Sequence, residues 1–358
     1  MPEKPLLAQR YRLLTEVGRG GMGTVWHARD EVLGRDVAVK EVILPHGFSD
    51  EEREIQYKRT FREARTAARL SHPGVVTVYD VVEEDGRPWI VMELIRARSL
   101  HEQIKRDGVF PPRRVAEIGR QMAGALRVAH KAGILHRDVK PSNVLVSGTR
   151  AVLTDFGIAR AQSDATLTQT GMLIGSPAYI APERARGRVA VPASDMWSLG
   201  VTMYAALEGK SPFERPDAMA SLVAVLTDEP ADAPNAGPLR PVIEGLLRKD
   251  PGERLTLDEV ATMLDRILSG DVEEEPAEDA DDPGGATRRL PSSIATTVNE
   301  SDVVPADESV EEAPDATQVR MPDDTGDLST AAYPVRSIVI VAAVLLVLFG
   351  VFLFATFS

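Results

Sequence analysis

Between residues 11 and 45 apolar and polar positions alternate as in extended chain. The stretch reads as strand, turn and strand, reaching the β-prone run Val37-Ala38-Val39-Lys40. Ser49 is followed three residues later by Glu52, the form of a capping box, and opens a helix predicted to reach about Leu70. Val75–Val82 and Trp89–Leu94 return to strand patterning, separated by the turn sequence Glu84-Asp85-Gly86. From Ser99 the pattern becomes helical. Pro111–His130 carries Val115, Ile118, Met122, Ala125, Leu126 and Ala129 near one stripe, and helices dominate again after residue 195. The expected architecture is therefore α+β, with a strand-rich lobe over 11–95 and a helical lobe over 96–268. Periodicity stops after Leu268. Ser337–Phe357 then runs 21 residues without a charge. As a helix it would be roughly 30 Å long, enough to cross a hydrocarbon core, so a single membrane span is predicted.

Charge changes this picture at one place. The chain of 358 residues has a formal charge of −13. Residues 269–336 hold 18 Asp/Glu against 4 Arg, and the remainder holds 36 against 37. The acidity thus belongs to a Glu-, Asp- and Pro-rich stretch expected to be a disordered tether, while the rest is nearly neutral. There is no cysteine, which excludes a disulfide framework and thiolate metal sites. The first residues contain no apolar core of a secretory signal.

The chemistry concentrates in His136-Arg137-Asp138-Val139-Lys140-Pro141-Ser142-Asn143 and, twelve residues on, Asp155-Phe156-Gly157. Two carboxylates, an ammonium and an amide stand there at spacings that suit phosphoryl transfer from Mg-ATP. Upstream, Val17-Gly18-Arg19-Gly20-Gly21-Met22-Gly23-Thr24-Val25 has the G-x-G-x-x-G-x-V form. Alone it could be a dinucleotide fingerprint or a flexible hairpin. A fingerprint wants a helix directly after the glycines, whereas Thr24-Val25-Trp26 is β-prone.

Together these motifs resemble serine/threonine protein kinases of the bacterial transmembrane, Hanks type. The resemblance covers residues 11 to about 268 and implies a bilobal fold with ATP between the lobes. It implies Asp138 as the base for a substrate hydroxyl, with Lys140 beside it, and Asn143 and Asp155 as Mg²⁺ ligands. The glycine-rich loop from Val17 to Val25 would cover the phosphates, and Lys40 would clamp them. Glu63 would pair with Lys40, although a surface pair along its own helix is the other reading. Ala38, Met92, Glu93 and Ile95 would border the adenine, although Met92 also suits plain core packing. Asp195 would bond the catalytic loop, and Glu183 would pair with Arg254. The activation segment would run from Asp155 to Ala181-Pro182-Glu183, with Ser176 where family members more often carry Thr.

Within that segment Thr168 and Thr170 match a doubly phosphorylated position, and Arg137 could receive a phosphate. A second copy of the chain is the expected partner for that autophosphorylation. The other expected partners are protein substrates and the bilayer, with no nucleic acid. Thr287, Thr296, Thr297 and Thr317 in the tether are either plain linker residues or recruits for phosphothreonine-binding domains. The expected placement is a single-pass protein of the cell membrane with its kinase part in the cytoplasm, and no outer ligand-binding region. Two rivals remain: a catalytically silent kinase-fold scaffold, and a kinase for small molecules. Lys40, Asp138 and Asp155 argue against the first, and the peptide-docking form of 175–183 against the second.

Overall fold

Three antiparallel strands form where the pattern predicted a strand, a turn and a strand. They are β1 (Tyr11–Gly20), β2 (Gly23–Asp30) and β3 (Arg35–Glu41). The structure, a computed structural model, describes residues 6–20, 23–44, 48–156 and 176–271. Gly21, Met22, Gly157, Thr168, Thr170, the tether beyond Asp271 and the apolar run 337–357 lie outside the described residues. Among those described, no helix is long and apolar enough to cross a membrane.

The sheet is completed by β4 (Val78–Glu84) and β5 (Arg87–Glu93), in the order β1-β2-β3-β5-β4. Asp85 and Gly86 form the two-residue loop between these last strands, with φ of 51° and 69°. Two positive φ values are what the right-handed twist of a tight hairpin demands. Strand β4 begins three residues later than predicted. Gly74 to Val76 instead bond to Leu153, with Leu153 N–H to Gly74 O at 2.8 Å and Val76 N–H to Leu153 O at 3.0 Å. That exchange ties the strand-rich lobe to the helical one.

The alternation along β3 places the chemistry. Val37 and Val39 are buried with Tyr11, Ala28 and Val91 on one face of the sheet. Ala38 packs on the other face with Val78, Ile90 and Met92. Lys40 shares the parity of Ala38, so it projects from the Met92 face. Helix α1 (Asp50–Ala67) packs against β4 and β5 and has both halves of the predicted capping box. Its buried residues are Gln56, Thr60, Ala64 and Ala67, polar or small side chains that bury little apolar area.

In the helical lobe, β6 (Arg98–Ser99) leads into α2 (Leu100–Asp107) and α3 (Pro112–Lys131). The six predicted stripe residues of α3 are all buried. Strand β7 (Val144–Ser147) pairs with β6 on one side and with β8 (Arg150–Leu153) on the other, in a small sheet. After the segment comes the short helix α4 (Pro182–Ala185), then α5 (Pro192–Glu208), α6 (Ala218–Thr227), α7 (Arg240–Leu246) and α8 (Leu257–Ser269). Every residue of α5 from Ser194 to Leu207 is buried, so the lobe is built around it. Gly200 permits the approach of α7, since a Cβ there would stand 2.7 Å from Leu246 Cβ.

A buried ion pair locks α4 to the loop before α8. Arg254 meets Glu183 through two bonds of 2.7 and 2.8 Å, with side-chain exposures of 0% and 4%. Burial works against the Glu183 carboxylate, but bonds from Arg254 and Ser194 outweigh it and hold its pKa below the usual range. Arg254 also donates to the carbonyls of Ala193, Arg248 and Lys249. Arg254→Ala would strand the carboxylate, at a cost of about 3–5 kcal/mol. The expected readout is a thermal midpoint lower by roughly 10 °C. A midpoint within a degree or two of wild type would contradict the pairing.

Candidate active site

The chain from His136 to Asp138 is held by its own amides. Asp195 of α5 accepts from His136 N–H at 2.8 Å and Arg137 N–H at 2.7 Å, and His130 Nε2 lies 2.8 Å from the same carboxylate. Asp138 N–H donates to His136 Nδ1 at 3.2 Å. The other ring nitrogen of His136 stands 2.8 Å from the Thr154 carbonyl, which can only accept. Nε2 therefore carries the proton and the ring is neutral. Arg137 adopts φ 64°, a left-handed conformation that costs a non-glycine residue about 1–3 kcal/mol and persists where surroundings enforce it.

His136 is fully buried, and burial lowers its imidazole pKa despite the carboxylates nearby. In the unfolded chain it would titrate near the ordinary 6.5. Its contribution to stability is complete above that pH and is lost as pH falls below it, because only the unfolded chain then gains the proton. His72, similarly lowered by burial, adds to the same trend. The thermal midpoint should be lower at pH 5.0 than at pH 7.5, with a shallower slope in His136→Asn. A midpoint unchanged between the two pH values would rule out this linkage.

Asp138 Oδ2 lies 3.1 Å from Lys140 Nζ and 3.0 Å from Asn143 Nδ2. The Asn143 amide nitrogen also donates to the Asp138 carbonyl at 2.8 Å, which leaves its side-chain oxygen as the atom for a cation. Thr154 N–H donates to the Asn143 carbonyl at 2.9 Å, bringing the end of β8 alongside. The next residue, Asp155, has φ 60° and its carboxylate accepts from the Lys40 ammonium. Burial opposes the Asp155 carboxylate, but Lys40 overcomes it and keeps its pKa below the usual range. An amide oxygen and a carboxylate form a hard donor set that suits a small divalent cation.

The β1–β2 hairpin lies at the edge of the sheet that carries Lys40. Arg19 pairs with Thr24 and Gly20 with Gly23 in register, and a Cβ added at Gly18 or Gly20 would meet nothing within 4 Å. Gly23 has no such room. Its φ is +134°, and a Cβ would fall 1.8 Å from the Glu41 carbonyl. The Arg19 guanidinium meets Glu16 at 3.1 and 3.2 Å in an exposed pair. Val25 packs beside Ala38 and Met92, while Val17 is exposed.

One expectation needs correction. Glu63 does not pair with Lys40; it faces Arg137, with Oε1 3.6 Å from Nη1. That is too long for a hydrogen bond, and among the described residues Glu63 Oε2 and Arg137 Nε have no hydrogen-bond partner. Burial accordingly pushes the Glu63 carboxyl above its usual pKa, with Arg137 and Arg59 pulling it back. A cavity of about 170 Å³ lies between α1 and the approach to the catalytic loop, bounded by Glu63, Ala67, Ile134, Arg137 and Phe156. With little apolar area to fix it, α1 stands off the loop, and Lys40 has taken Asp155. At the expected adenine edge, some backbone groups already have partners. Glu93 N–H is spent on Thr77 O at 2.9 Å, and the Ile95 carbonyl accepts from Ala97 N–H at 2.9 Å. The Glu93 carboxylate meets Arg150 at 2.8 Å. Met92 is buried core, and it pairs with Ala38 across β3 and β5.

His130 and Arg184 were passed over in the sequence. His130 sits at the end of the α3 stripe, a signal that could have been read; Arg184 had none. The segment before α4 is pinned to the helical lobe, where Ser198 Oγ donates to Tyr179 O at 2.9 Å and Ser211 Oγ to Ala178 O at 2.7 Å.

Residues 11–264 match the protein kinase domain family. The chain belongs to that family. Its kinase domain is similar to that of serine/threonine-protein kinase PknA of Mycobacterium tuberculosis, 44% identical over 256 residues, covering 69% of this chain and 58% of that one. It is 43% identical over 217 residues to the probable serine/threonine-protein kinase PknB of Corynebacterium glutamicum, covering 58% and 33% respectively. To serine/threonine-protein kinase PrkC of Bacillus subtilis it is 37% identical over 254 residues, covering 69% and 39%. The chain thus matches less than two thirds of these relatives' lengths. Membership in a protein kinase family implies ATP and a divalent metal ion, and the Asn143–Asp155 donor set fits such an ion.

Proposed function

We propose that this chain is a membrane-anchored serine/threonine protein kinase that moves the γ-phosphoryl group of ATP to Ser and Thr hydroxyls of proteins. The carrying observation is the convergence of Asp138, Lys140 and Asn143, in mutual contact, with Asp155, which follows the Thr154 bonded to Asn143 and holds Lys40. Asp138 accepts the proton of the attacking hydroxyl as the oxygen–phosphorus bond forms and the β–γ bridge breaks, leaving ADP. Lys140, in contact with Asp138, is placed to steady the transferred group. Asn143 and Asp155 would hold Mg²⁺, which when bound would supply charge neutralisation on the phosphates. Gly18, Gly20 and Gly23 bring backbone N–H groups over them, and Lys40 leaves Asp155 to clamp the α- and β-phosphates.

The Glu63–Arg137 contact is the resting half of a switch. Phosphate on Thr168 and Thr170, added by a second copy, carries nearly two charges and takes Arg137 from a carboxylate that holds it loosely. Glu63 is then free for Lys40. Residues 337–357 anchor the chain, the acidic tether lets the domain reach neighbours, and the kinase domain faces the cytoplasm where ATP is.

The deciding experiment incubates the purified chain with Mg-ATP and a generic protein, beside Lys40→Met and Asp138→Asn. Phosphoserine and phosphothreonine should appear with wild type alone. ATP turnover onto a small molecule but not protein would favour the small-molecule rival, and no turnover the silent scaffold. For the anchor, the chain should sediment with membranes and be released when 337–357 is deleted.

A further inference from the structure

The clamp on the residues before Asp138 has a member from beyond the activation segment. Arg184, on α4 directly after the ion-paired Glu183, is 5% exposed and donates from Nη1 to the Arg137 carbonyl at 2.7 Å. That carbonyl belongs to the peptide joining Arg137 to Asp138. The N–H of the same peptide is held by His136 Nδ1, and the N–H before it by Asp195. The peptide that aims the Asp138 carboxylate is therefore fastened at both polar ends, and one fastening comes from the far end of the activation segment.

We infer that Arg184 is a positioning residue for phosphoryl transfer, holding the Arg137–Asp138 peptide in the plane that points Asp138 at the substrate hydroxyl. This rests on the kinase reading above. The left-handed φ of Arg137 makes the fastening necessary, since a strained residue relaxes when a bond that enforces it is removed. A guanidinium suits the task because it is charged at every physiological pH and makes a stronger bond to a carbonyl than a neutral donor does. Arg184 meets the backbone oxygen of Arg137, not its guanidinium, so the two like charges are not set against each other at this contact. Because α4 is anchored independently through Glu183 and Arg254, the docked end of the activation segment and the orientation of Asp138 are mechanically joined through Arg184.

The test compares full-length wild type, Arg184→Met and Arg184→Lys for kcat, KM for ATP, KM for a protein substrate, and folded fraction by thermal unfolding. Methionine keeps bulk and removes the donor, while lysine restores a charged donor on a stem of similar reach. The expected result for Arg184→Met is a fall in kcat on the order of 10- to 100-fold, as for other small misplacements of a reacting group. Its KM for ATP should stay within about threefold of wild type, because the Lys40 and glycine-loop contacts are untouched. Arg184→Lys should recover most of the lost kcat. The inference is overturned if Arg184→Met turns over like wild type, if lysine restores nothing, or if the loss of rate only tracks a loss of folded protein. Failure of Arg184→Met to fold counts against it too, since the role would then be structural. Absence of transfer by wild type would instead remove the kinase reading itself.

Discussion

Asp138→Asn should bind ATP as wild type does and transfer phosphate about 10²- to 10⁴-fold more slowly, the range spanned by loss of a positioned general base. The substitution nearly preserves shape. Lys140 and Asn143, which stand 3.1 and 3.0 Å from Asp138 Oδ2, keep a neighbour of the same size, and His136 still receives the backbone N–H. The missing property is the ability to take a proton. Nucleotide affinity and thermal midpoint should therefore be unchanged while kcat collapses. Lys40→Met should show a different signature, a raised KM for ATP together with the lost rate, as the proposed reach of Lys40 to the phosphates requires. Protein phosphorylation by Asp138→Asn at even a tenth of the wild-type rate would reject Asp138 as the base.

The double variant Thr168→Ala, Thr170→Ala should lose most basal activity, on the order of 10- to 100-fold. The basis is the contact that Glu63 now makes. At 3.6 Å it lacks a hydrogen bond, and burial raises the Glu63 carboxyl pKa, so this pair holds weakly. A phosphate with three acceptor oxygens makes charge-assisted bonds worth about 1.5–3 kcal/mol each to a guanidinium. One such bond already corresponds to tenfold or more in the balance between the two arrangements. Wild type freed of phosphate should begin slowly and accelerate, with a lag that shortens as enzyme concentration rises, as the proposed action of one copy on another requires. The double variant should show neither the acceleration nor the final rate. Full activity in the double variant would refute the switch, and a lag independent of concentration would refute action between copies.

The two lobes were legible because their signals are local. Capping at Ser49 and Glu52, the Asp85-Gly86 hairpin and the α3 stripe each depend on residues a few positions apart, and each formed as patterned. The boundary at Val75 was misread because its partner is Leu153, 78 positions later, and such a bridge leaves no periodic trace. The same division runs through the site. Asp138, Lys140 and Asn143 lie within six residues, so their proximity was readable from spacing. The partner of Lys40 was not, because it depends on how a rigid helix is set against the catalytic loop.

Sequence alone determined which groups are candidates for phosphoryl transfer and on which elements they stand, because turn chemistry and apolar period act over a few residues. Tertiary structure alone decided the pairings among those groups. Lys40 joins Asp155, Glu63 joins Arg137, and Arg184 reaches the Arg137 carbonyl across 47 positions. The physical reason is that a charge has no memory of its place in the chain. It pairs with whichever opposite or polar group packing brings within reach, and α1, with almost no apolar face to fix it, left that choice open.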